Sequence, residues 1–527
     1  MTVARNSVGG VGAGGVAELP RVAWDAVAVL CAAKLLLHIF TSVRHYDYFR
    51  DELYNLDLAR HLAWGYVDCA PLIAVYAKIA LLMGGSLVAL RILPALAGTA
   101  LVALGIFMAR EMGGGRYAQW LTGLAILLTP AVLALDSLLT MNSFEPLYWM
   151  GAAWVIMRFL RAGDSRLWIW FGVLIGLGLE NKHSTLFFGL AVFVALLATE
   201  HRREFAKPWI WIGAAIILIL FAPNLIWQVR HHFPTYEDLH NVKVTHKNVE
   251  LGPWEFVKQQ IVIVHPLLFP VWFTGMVWSW WSRRWRVVGI TFAVFFVVME
   301  AMHAKAYYVF PIYAMMFAAG SVAIAGWIGA WARRPGRAGI ATAVRAAIVA
   351  VLIVGMGIYL PLTVFALPPA KYLAYARKIG YLPPKMEAYH QSDLPQPIAD
   401  QFGWREMVAQ VAEMYNSLPP GQRAVTGIIA GNYGEAGAVD EFGPAYGLPT
   451  AISGHQNHFY WGPPEQHYEN FIVIQWDEQD VKDNCTSYTS VEHYNEWGMG
   501  EENAPIFLCM GVQFDLKKVW GKLKHWN

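Results

Sequence analysis

The sequence predicts a multi-pass α-helical membrane protein that ends in a mixed α/β domain outside the membrane. Three observations predict this class: many long apolar runs, a low charged fraction, and a more polar composition after about residue 365. Of the 527 residues, 56% are hydrophobic and 15% are charged, whereas a typical soluble domain has about 25% charged residues. The abundant Trp, Tyr and Phe residues are typical of a chain that crosses two membrane interfaces, where amphipathic rings settle.

Eleven apolar runs qualify as transmembrane helices, because crossing the hydrocarbon core takes roughly 20 mostly apolar residues. The runs are residues 23–43, 86–109, 117–135, 144–160, 167–180, 185–199, 209–227, 260–281, 287–301, 307–330 and 341–364. A shorter segment at 71–84 is either an interfacial helix or an extension of the next run. The first run lacks a convincing cleavage site, so we expect an uncleaved helix after a flexible cytoplasmic segment at 1–22.

Basic residues orient these helices. They concentrate in alternate short loops, and cytoplasmic loops of membrane proteins carry an excess of Lys and Arg. The loops hold Arg110 and Arg116; Arg158, Arg161 and Arg166; Arg202, Arg203 and Lys207; Arg283, Arg284 and Arg286; Arg333, Arg334 and Arg337. We therefore expect a cytoplasmic N-terminus, a membrane domain over 23–365 and a periplasmic domain over 366–527, in a bacterial inner membrane.

The predicted periplasmic domain contains short apolar segments at 424–430 and 471–475, bounded by Gly, Pro and Asn, which predict strands. Two cysteines, Cys485 and Cys509, lie in this domain. In an oxidising compartment they either form a disulfide or remain free thiols, because the sequence does not fix the distance between them.

Polar residues crowd the predicted external ends of the helices rather than their middles. Loop by loop, the candidates are Asp51 and Glu52; Asp136, Asn142 and Glu145; Lys182 and His183; Arg230, His231 and His232; His303, Lys305, Tyr307 and Tyr308. A carboxylate accepts or orients a proton, and cations hold a phosphate. The pattern predicts a reaction cleft at the outer interface, although any single residue is equally well explained as part of a wet, charged helix end.

Several segments resemble a known family. They are residues 50–54 (RDELY), 59–62 (ARHL), 142–145 (NSFE), 176–182 (GLGLENK) and 305–311 (KAYYVFP). In this order, the sequence is similar to the dolichyl-phosphate-mannose protein mannosyltransferase family of the GT-C glycosyltransferase superfamily. It looks closest to the bacterial branch that includes the lipid A aminoarabinose transferases. The resemblance covers roughly residues 20–365, and segments 433–437 and 453–455 resemble C-terminal domains of bacterial members.

The resemblance implies that Asp51 is the first-loop carboxylate, acting as general base or orienting the acceptor, with its neighbour Glu52 as the fallback. Family members often have an acidic residue at the start of the fourth helix, where this sequence has Asn142. Glu145 lies one helical turn later on the same face. Either Glu145 substitutes for the missing acid, or Asn142 only binds sugar or acceptor. Asp136 is a weaker candidate that we expect to cap a helix or face water.

Lys182 and Lys305 match positions where the family places cations near the carrier phosphate. A side chain that merely anchors its helix end is the alternative for Lys182. The remaining substrate-binding candidates are His183, Arg230, His303 and Tyr308. For Tyr308 a place in the interfacial aromatic belt is the alternative, and for Arg230 a mobile solvated loop.

The resemblance implies a glycosyltransferase that moves a monosaccharide from a polyprenyl-phosphate carrier to an extracytoplasmic acceptor, with inversion. The acceptor is a protein, a lipid or a glycan. Neither a cofactor nor a nucleic-acid partner is predicted. A divalent ion bound by Asp51 and Glu145 is an open alternative. The main alternative is a transporter or flippase for a lipid-linked substrate, which would show paired repeats and charges at mid-membrane. Neither feature is evident in the sequence. A membrane-anchored binding or assembly protein is a further alternative, but it would leave the five external polar loops without a purpose.

Overall fold

The structure, a computed structural model, describes residues 18–382, 385, 387–388, 392–498 and 503–526. Of the predicted flexible segment 1–22, residues 1–17 lie outside this part. The helices of the membrane part are α1 (Trp24–Thr41), α2 (Arg50–Arg60), α3 (Leu72–Leu82), α4 (Leu87–Glu111), α5 (Arg116–Leu127), α6 (Pro130–Leu135), α7 (Met141–Ala162), α8 (Leu167–Asn181), α9 (Thr185–Leu197), α10 (Pro208–Arg230), α11 (Pro234–Val244), α12 (Pro253–Val264), α13 (Phe269–Trp281), α14 (Arg286–Ala301), α15 (Tyr313–Ala332) and α16 (Ala338–Thr363). Short 3₁₀ helices occupy Glu200–Ala206, Pro266–Leu268 and Ala306–Ile312.

Each of the eleven predicted runs contains a helix, and the segment at 71–84 forms the separate short helix α3. Within the described residues, five helices are long and apolar enough to cross a membrane, or up to seven if two bent pairs each count as one span. The chain is therefore a multi-pass membrane protein, and eleven spans remain a prediction. Two runs are broken. Run 117–135 is divided into α5 and α6, where Pro130 starts the second helix, and run 260–281 is divided between α12 and α13, which are bent by 93°.

Small residues let several membrane helices pack closely. A Cβ at Gly172 of α8 would lie 2.4 Å from the carbonyl oxygen of Gly213 in α10. In the same way, a Cβ at Gly320 of α15 would lie 1.9 Å from the carbonyl oxygen of Val271 in α13. Close backbone approach through Gly is a common way to associate helices in lipid, where apolar burial between helices gains little.

One expectation about charge is wrong. Lys34 lies near the middle of α1, fully buried, and its Nζ is 2.7 Å from Asp136 Oδ2. Asp136 is therefore a buried partner of Lys34 and does not face water. Because burying a single charge in an apolar interior is costly, each group stabilises the ionised form of the other. The expectation that charged side chains lie only at the ends of the membrane helices is therefore wrong, although these two charges are paired with each other.

The C-terminal part contains a four-stranded sheet with the order β1-β2-β4-β3 among its described residues. Its elements are α17 (Pro369–Ile379), α18 (Gln396–Ala399), α19 (Trp404–Ser417), α20 (Pro420–Arg423), β1 (Thr426–Ala430), α21 (Tyr433–Phe442), α22 (His458–Trp461), β2 (Asn470–Ile474), α23 (Glu478–Asn484), β3 (Cys485–Val491), β4 (Ile506–Val512) and α24 (Leu516–Leu523). The predicted strands at 424–430 and 471–475 are observed as β1 and β2, which pair in parallel. Cys485 and Cys509 form a disulfide between β3 and β4.

The C-terminal part packs directly on α2 through α21. A Cβ at Gly437 would lie 2.8 Å from the backbone carbonyl carbon of Leu53, and a Cβ at Gly434 would lie 2.5 Å from Cγ of Arg50. Arg50 is also tied to Asp400, whose carbonyl oxygen accepts a hydrogen bond from the Arg50 backbone N–H at 3.0 Å. The start of α2 is therefore enclosed by the C-terminal part.

Candidate active site

A cavity of about 280 Å³ lies where α2, the ends of several membrane helices and the C-terminal part meet. One part of its wall is apolar and comes from α6, α12 and α16. It includes Pro130, Ala131, Leu135, Val262, Ile263 and Leu362. The other part is polar and holds Arg50, Asp51, Asn142, Lys247, Lys305, Tyr307, Glu387 and Tyr433. The cavity thus joins an apolar groove between membrane helices to a pole that contains both carboxylates and cations.

Asp51 is the accessible carboxylate of this pole. It lies in the first turn of α2, its side chain is 42% exposed, and its Oδ1 accepts a hydrogen bond of 2.9 Å from the hydroxyl of Tyr433. The Nε of Arg50 is 3.9 Å from the same oxygen. Oδ2 has no hydrogen-bond partner among the described residues. A carboxylate with one oxygen held and the other open is suited to accept a proton from a bound hydroxyl.

Glu52, the fallback for Asp51, has a different environment. It is fully buried and accepts hydrogen bonds from the backbone N–H groups of Phe49 and Leu139, each at 2.9 Å. Arg91 of α4 forms an ion pair with it at 2.8 Å. These contacts cap the start of α2 and join it to α4. These contacts favour a structural role for Glu52, fixing the helix that carries Asp51, over the catalytic role predicted for it as the fallback.

Lys305 reaches the cavity from the 3₁₀ segment after α14. Its Nζ is 3.3 Å from Oε1 of Glu387, which is contributed by the C-terminal part. Burial alone would raise the pKa of Glu387, but the charges of Lys305, Arg50 and Lys247 lower it to about 2. Glu387 is therefore ionised at neutral pH and lies among three cations.

Lys182 and Glu145 form a second polar cluster next to the cavity. Lys182 Nζ donates to Asn142 Oδ1 at 2.7 Å and lies 3.2 Å from Glu145 Oε2. It also lies 3.9 Å from the ring centroid of Tyr308. Glu145 is 1% exposed and accepts a further hydrogen bond from the Ser184 hydroxyl. Of this cluster, Asn142 lines the cavity, whereas Glu145 is closed off by its partners.

The other predicted ligands do not line this cavity. His183 lies against α10, with Nε2 3.2 Å from Asn224 Oδ1. Arg230 is exposed at the end of α10, and His303 is exposed after α14 with a left-handed backbone (φ 52°). The structure thus brings Asp51, Asn142 and Lys305 to one cavity, with Glu145, Lys182 and Tyr308 behind it.

The cavity also contains residues that the sequence did not single out as candidates: Glu387, Lys247 and Tyr433. Tyr307 also lines the cavity; the sequence leaves for it either a place in the interfacial aromatic belt or a hydrogen bond to the phosphate. The segment that contains Tyr433 was noted for its resemblance alone, and nothing in it points to Asp51, 382 positions away. Contacts over such separations depend on the tertiary fold, so no local pattern could have revealed them.

A metal site at Asp51 and Glu145 is not favoured, because Glu145 is paired with Lys182. A different group, Asp57, Asp440 and His458, has ligand atoms within 4.8 Å of one another. Arg60, however, lies 2.7 Å from Asp57 Oδ1 and already supplies positive charge there. We assign no metal to this group.

Comparisons with known proteins identify a matching family model and similar folds. Residues 68–227 match the model of the dolichyl-phosphate-mannose-protein mannosyltransferase family. Among solved structures, ArnT from Cupriavidus metallidurans in the apo state has a TM-score of 0.58 at 14% identity, covering 93% of this chain and 98% of that chain. The same protein bound to undecaprenyl phosphate has a TM-score of 0.57 at 14% identity, covering 92% and 97%. No curated protein sequence gives a significant match.

A third structure, the oligosaccharyltransferase of Archaeoglobus fulgidus tethered with an acceptor peptide, has a TM-score of 0.51 at 12% identity. It covers 81% of this chain and 64% of that chain. The chain has the GT-C fold. The predicted resemblance to membrane glycosyltransferases is therefore confirmed.

Proposed function

We propose that the protein is a glycosyltransferase that moves a monosaccharide from a polyprenyl-phosphate carrier to an acceptor hydroxyl at the outer face of the membrane. The observation that carries this proposal is the two-part cavity: an apolar groove between membrane helices leads to a pole with Asp51 and Lys305. A polyprenyl phosphate has the same two parts, an apolar chain and an anionic head. The ArnT structure that contains undecaprenyl phosphate supports this class of carrier.

The proposed chemistry uses Asp51 as base. The acceptor hydroxyl donates its proton to the open oxygen of Asp51 while its own oxygen forms a bond to the anomeric carbon. The bond between that carbon and the phosphate oxygen breaks, and its electron pair stays on the phosphate. Attack from the face opposite the departing phosphate inverts the anomeric centre. Because the leaving group is already a stable anion, the reaction needs charge stabilisation more than a general acid.

Lys305 is the cation that we assign to the phosphate, together with Arg50 and Lys247 in the same wall. Charge-assisted hydrogen bonds from such groups are about twice as strong as neutral ones. Lys182 does not line the cavity; it donates a hydrogen bond to Asn142 and so fixes that side chain at the edge of the cavity. Asn142 is then placed to bind a sugar or acceptor hydroxyl. This role agrees with an amide at the position where family members often have an acid.

The orientation of the chain belongs to the same proposal: the C-terminal part lies in the periplasm and the protein in the inner membrane. Arg202, Arg283 and Arg286, from two predicted cytoplasmic loops, line one shared pocket at the ends of α9, α13 and α14. Lys182 and Lys305 lie at the opposite ends of α9 and α14. The disulfide between Cys485 and Cys509 supports an oxidising compartment for the C-terminal part.

Transport of a lipid-linked substrate is the alternative function. The buried pair Lys34 and Asp136 is the observation in its favour, because charges at depth are typical of transport pathways. This pair does not line the cavity, whose charged residues lie at helix ends. We therefore prefer group transfer to transport.

The test incubates the purified full-length protein with a panel of polyprenyl-phosphate monosaccharides and measures release of free polyprenyl phosphate. We expect turnover by the wild type and a loss of at least 100-fold in Asp51→Asn, the usual scale for removing a general base. The control is Asp515→Asn, the same change at an exposed helix start, which should keep full activity. A fully active Asp51→Asn variant would overturn the role of Asp51, and no release from any donor would overturn transfer itself.

A further inference from the structure

The C-terminal part contributes a side chain to the carboxylate at the centre of the proposed reaction. The hydroxyl of Tyr433, the first residue of α21, donates a hydrogen bond of 2.9 Å to Oδ1 of Asp51. We propose that Tyr433 is a positioning residue for Asp51, so that the C-terminal part completes the active site. This inference rests on the proposed function, because it gives Tyr433 a role in that same transfer.

The ring of Tyr433 is itself held in place on several sides. It packs against Tyr54, with ring centroids 4.7 Å apart, and stacks on His455 at 5.0 Å. The guanidinium of Arg50 lies over the same ring, 5.6 Å from its centroid. The Tyr433 backbone N–H donates to Nδ1 of His455 at 3.2 Å. With these contacts the phenol has a fixed direction and adds little conformational entropy cost when it bonds to Asp51.

The helix that carries Tyr433 is also fixed relative to the helix that carries Asp51. The backbone of α21 approaches α2 so closely at Gly437 that any side chain there would meet the Leu53 backbone. Movement of α21 would therefore move the phenol away from the carboxylate. The distance between Tyr433 and Asp51 is set by helix packing, not by a mobile loop.

The chemical consequence concerns the two oxygens of Asp51. An exposed carboxylate rotates freely about its terminal torsion, and either oxygen could then face the acceptor. The bond from Tyr433 selects Oδ1 as the held oxygen and leaves Oδ2 for the acceptor proton. A base fixed in this way is oriented before the acceptor binds, which lowers the barrier without adding any contact to the carrier.

This inference separates catalysis from carrier binding. If Tyr433 acts only through Asp51, removing its hydroxyl should lower kcat and leave the affinity for the carrier phosphate unchanged. We assign the phosphate to Lys305, Arg50 and Lys247. The Tyr433 hydroxyl donates to Asp51, and Arg50 contacts only the ring of Tyr433, which Tyr433→Phe retains. A role in donor binding would instead raise KM.

The experiment compares Tyr433→Phe with the wild type in full-length protein, using the most active donor of the panel, with undecaprenyl phosphate as the binding probe. We expect kcat to fall about tenfold, while the Kd for undecaprenyl phosphate stays within twofold and the melting temperature is unchanged. The matched control is Tyr488→Phe, because Tyr488 is in the same part of the chain and its hydroxyl bonds to Glu478 on the surface. This control should behave as the wild type.

A double variant tests whether the effect passes through Asp51. In an Asp51→Asn background, Tyr433→Phe should cause no further loss, because residues that act as a unit are not additive. An unchanged kcat in Tyr433→Phe, a parallel loss of undecaprenyl phosphate binding, or an additive loss in the double variant would each overturn the inference. In all three cases the active wild type leaves the proposed function intact. An inactive wild type would overturn both.

Discussion

Lys305 Nζ lies 3.3 Å from Oε1 of Glu387, although 82 positions separate the two residues in the chain. The pair lines the polar end of the cavity, beside Arg50 and Lys247. The pKa of Glu387 is about 2 because these three cations outweigh its burial. At neutral pH the unliganded cavity therefore contains an internal anion where the proposed carrier phosphate binds. The phosphate and Glu387 must compete for the same cations.

This competition predicts opposite effects of two substitutions on carrier affinity. Glu387→Gln removes the competing charge, so the Kd for undecaprenyl phosphate should fall about threefold. Lys305→Met removes a charge-assisted hydrogen bond to the phosphate, so the Kd should rise roughly tenfold. Both values can be measured by binding to the purified protein. Glu478→Gln, on the exposed surface, is the matched control. Weaker binding in Glu387→Gln would instead show that Glu387 helps to bind the carrier.

The positions of the membrane helices can be predicted from the sequence, because a long apolar run is a local property that predicts a helix. Run 341–364 corresponds to α16 (Ala338–Thr363) almost residue for residue. The break between α5 and α6 was not predicted, since the apolar run continues through it. The chain turns there at Pro130; α5 packs mainly on α4 and α15, whereas α6 packs mainly on α16 and α12.

The choice between Asp51 and Glu52 shows what the sequence could not decide. Adjacent residues on a helix point about 100° apart, so only one of the two carboxylates faces the cavity. Arg91, far away in the sequence, determines which one, because its guanidinium binds Glu52 in the interior. The family resemblance favours Asp51 as the first-loop carboxylate, whereas composition and spacing treat the two residues alike. The contacts of Asp51 with Tyr433 and of Lys305 with Glu387 required the tertiary fold.

The pair of Lys182 and Glu145 should contribute mainly to stability. Glu145 is buried and has Lys182 and Ser184 as partners. Removing one member of a buried ion pair leaves the other charge uncompensated, at a cost of about 3 kcal/mol or more. We expect Glu145→Gln to lower the melting temperature clearly, and the double variant Glu145→Gln with Lys182→Met to recover part of the loss.

Thermal unfolding in detergent or nanodiscs measures this effect. The control is Glu478→Gln, which breaks the exposed pair with Lys482 and should leave the free energy of unfolding nearly unchanged. A Glu145→Gln variant with unchanged stability and no activity would argue for a direct catalytic role of Glu145. That result would return the second carboxylate to the mechanism.

A half-buried acid that contacts Tyr54 of α2 should make the stability of the protein depend on pH. Asp68 lies between α2 and α3, and its Oδ1 accepts a hydrogen bond of 3.0 Å from the Tyr54 hydroxyl. Burial, followed by the nearby charge of Asp238, raises the pKa of Asp68 from 3.8 to about 7. In the folded protein Asp68 thus keeps its proton over a range of pH where the unfolded chain has lost it.

The sign of the effect follows from proton linkage. Between about pH 4 and pH 7 the folded state binds more protons than the unfolded state, so the contribution of Asp68 to stability decreases as the pH rises through 7. Relative to Asp68→Asn, which does not titrate, the wild type should lose about 2 °C or more in melting temperature between pH 5.5 and pH 8.5. Asp515→Asn, on the surface, should parallel the wild type. A constant difference between the wild type and Asp68→Asn over this range would show that Asp68 is ionised throughout, and that the acid pair with Asp238 is relieved by a cation or by water.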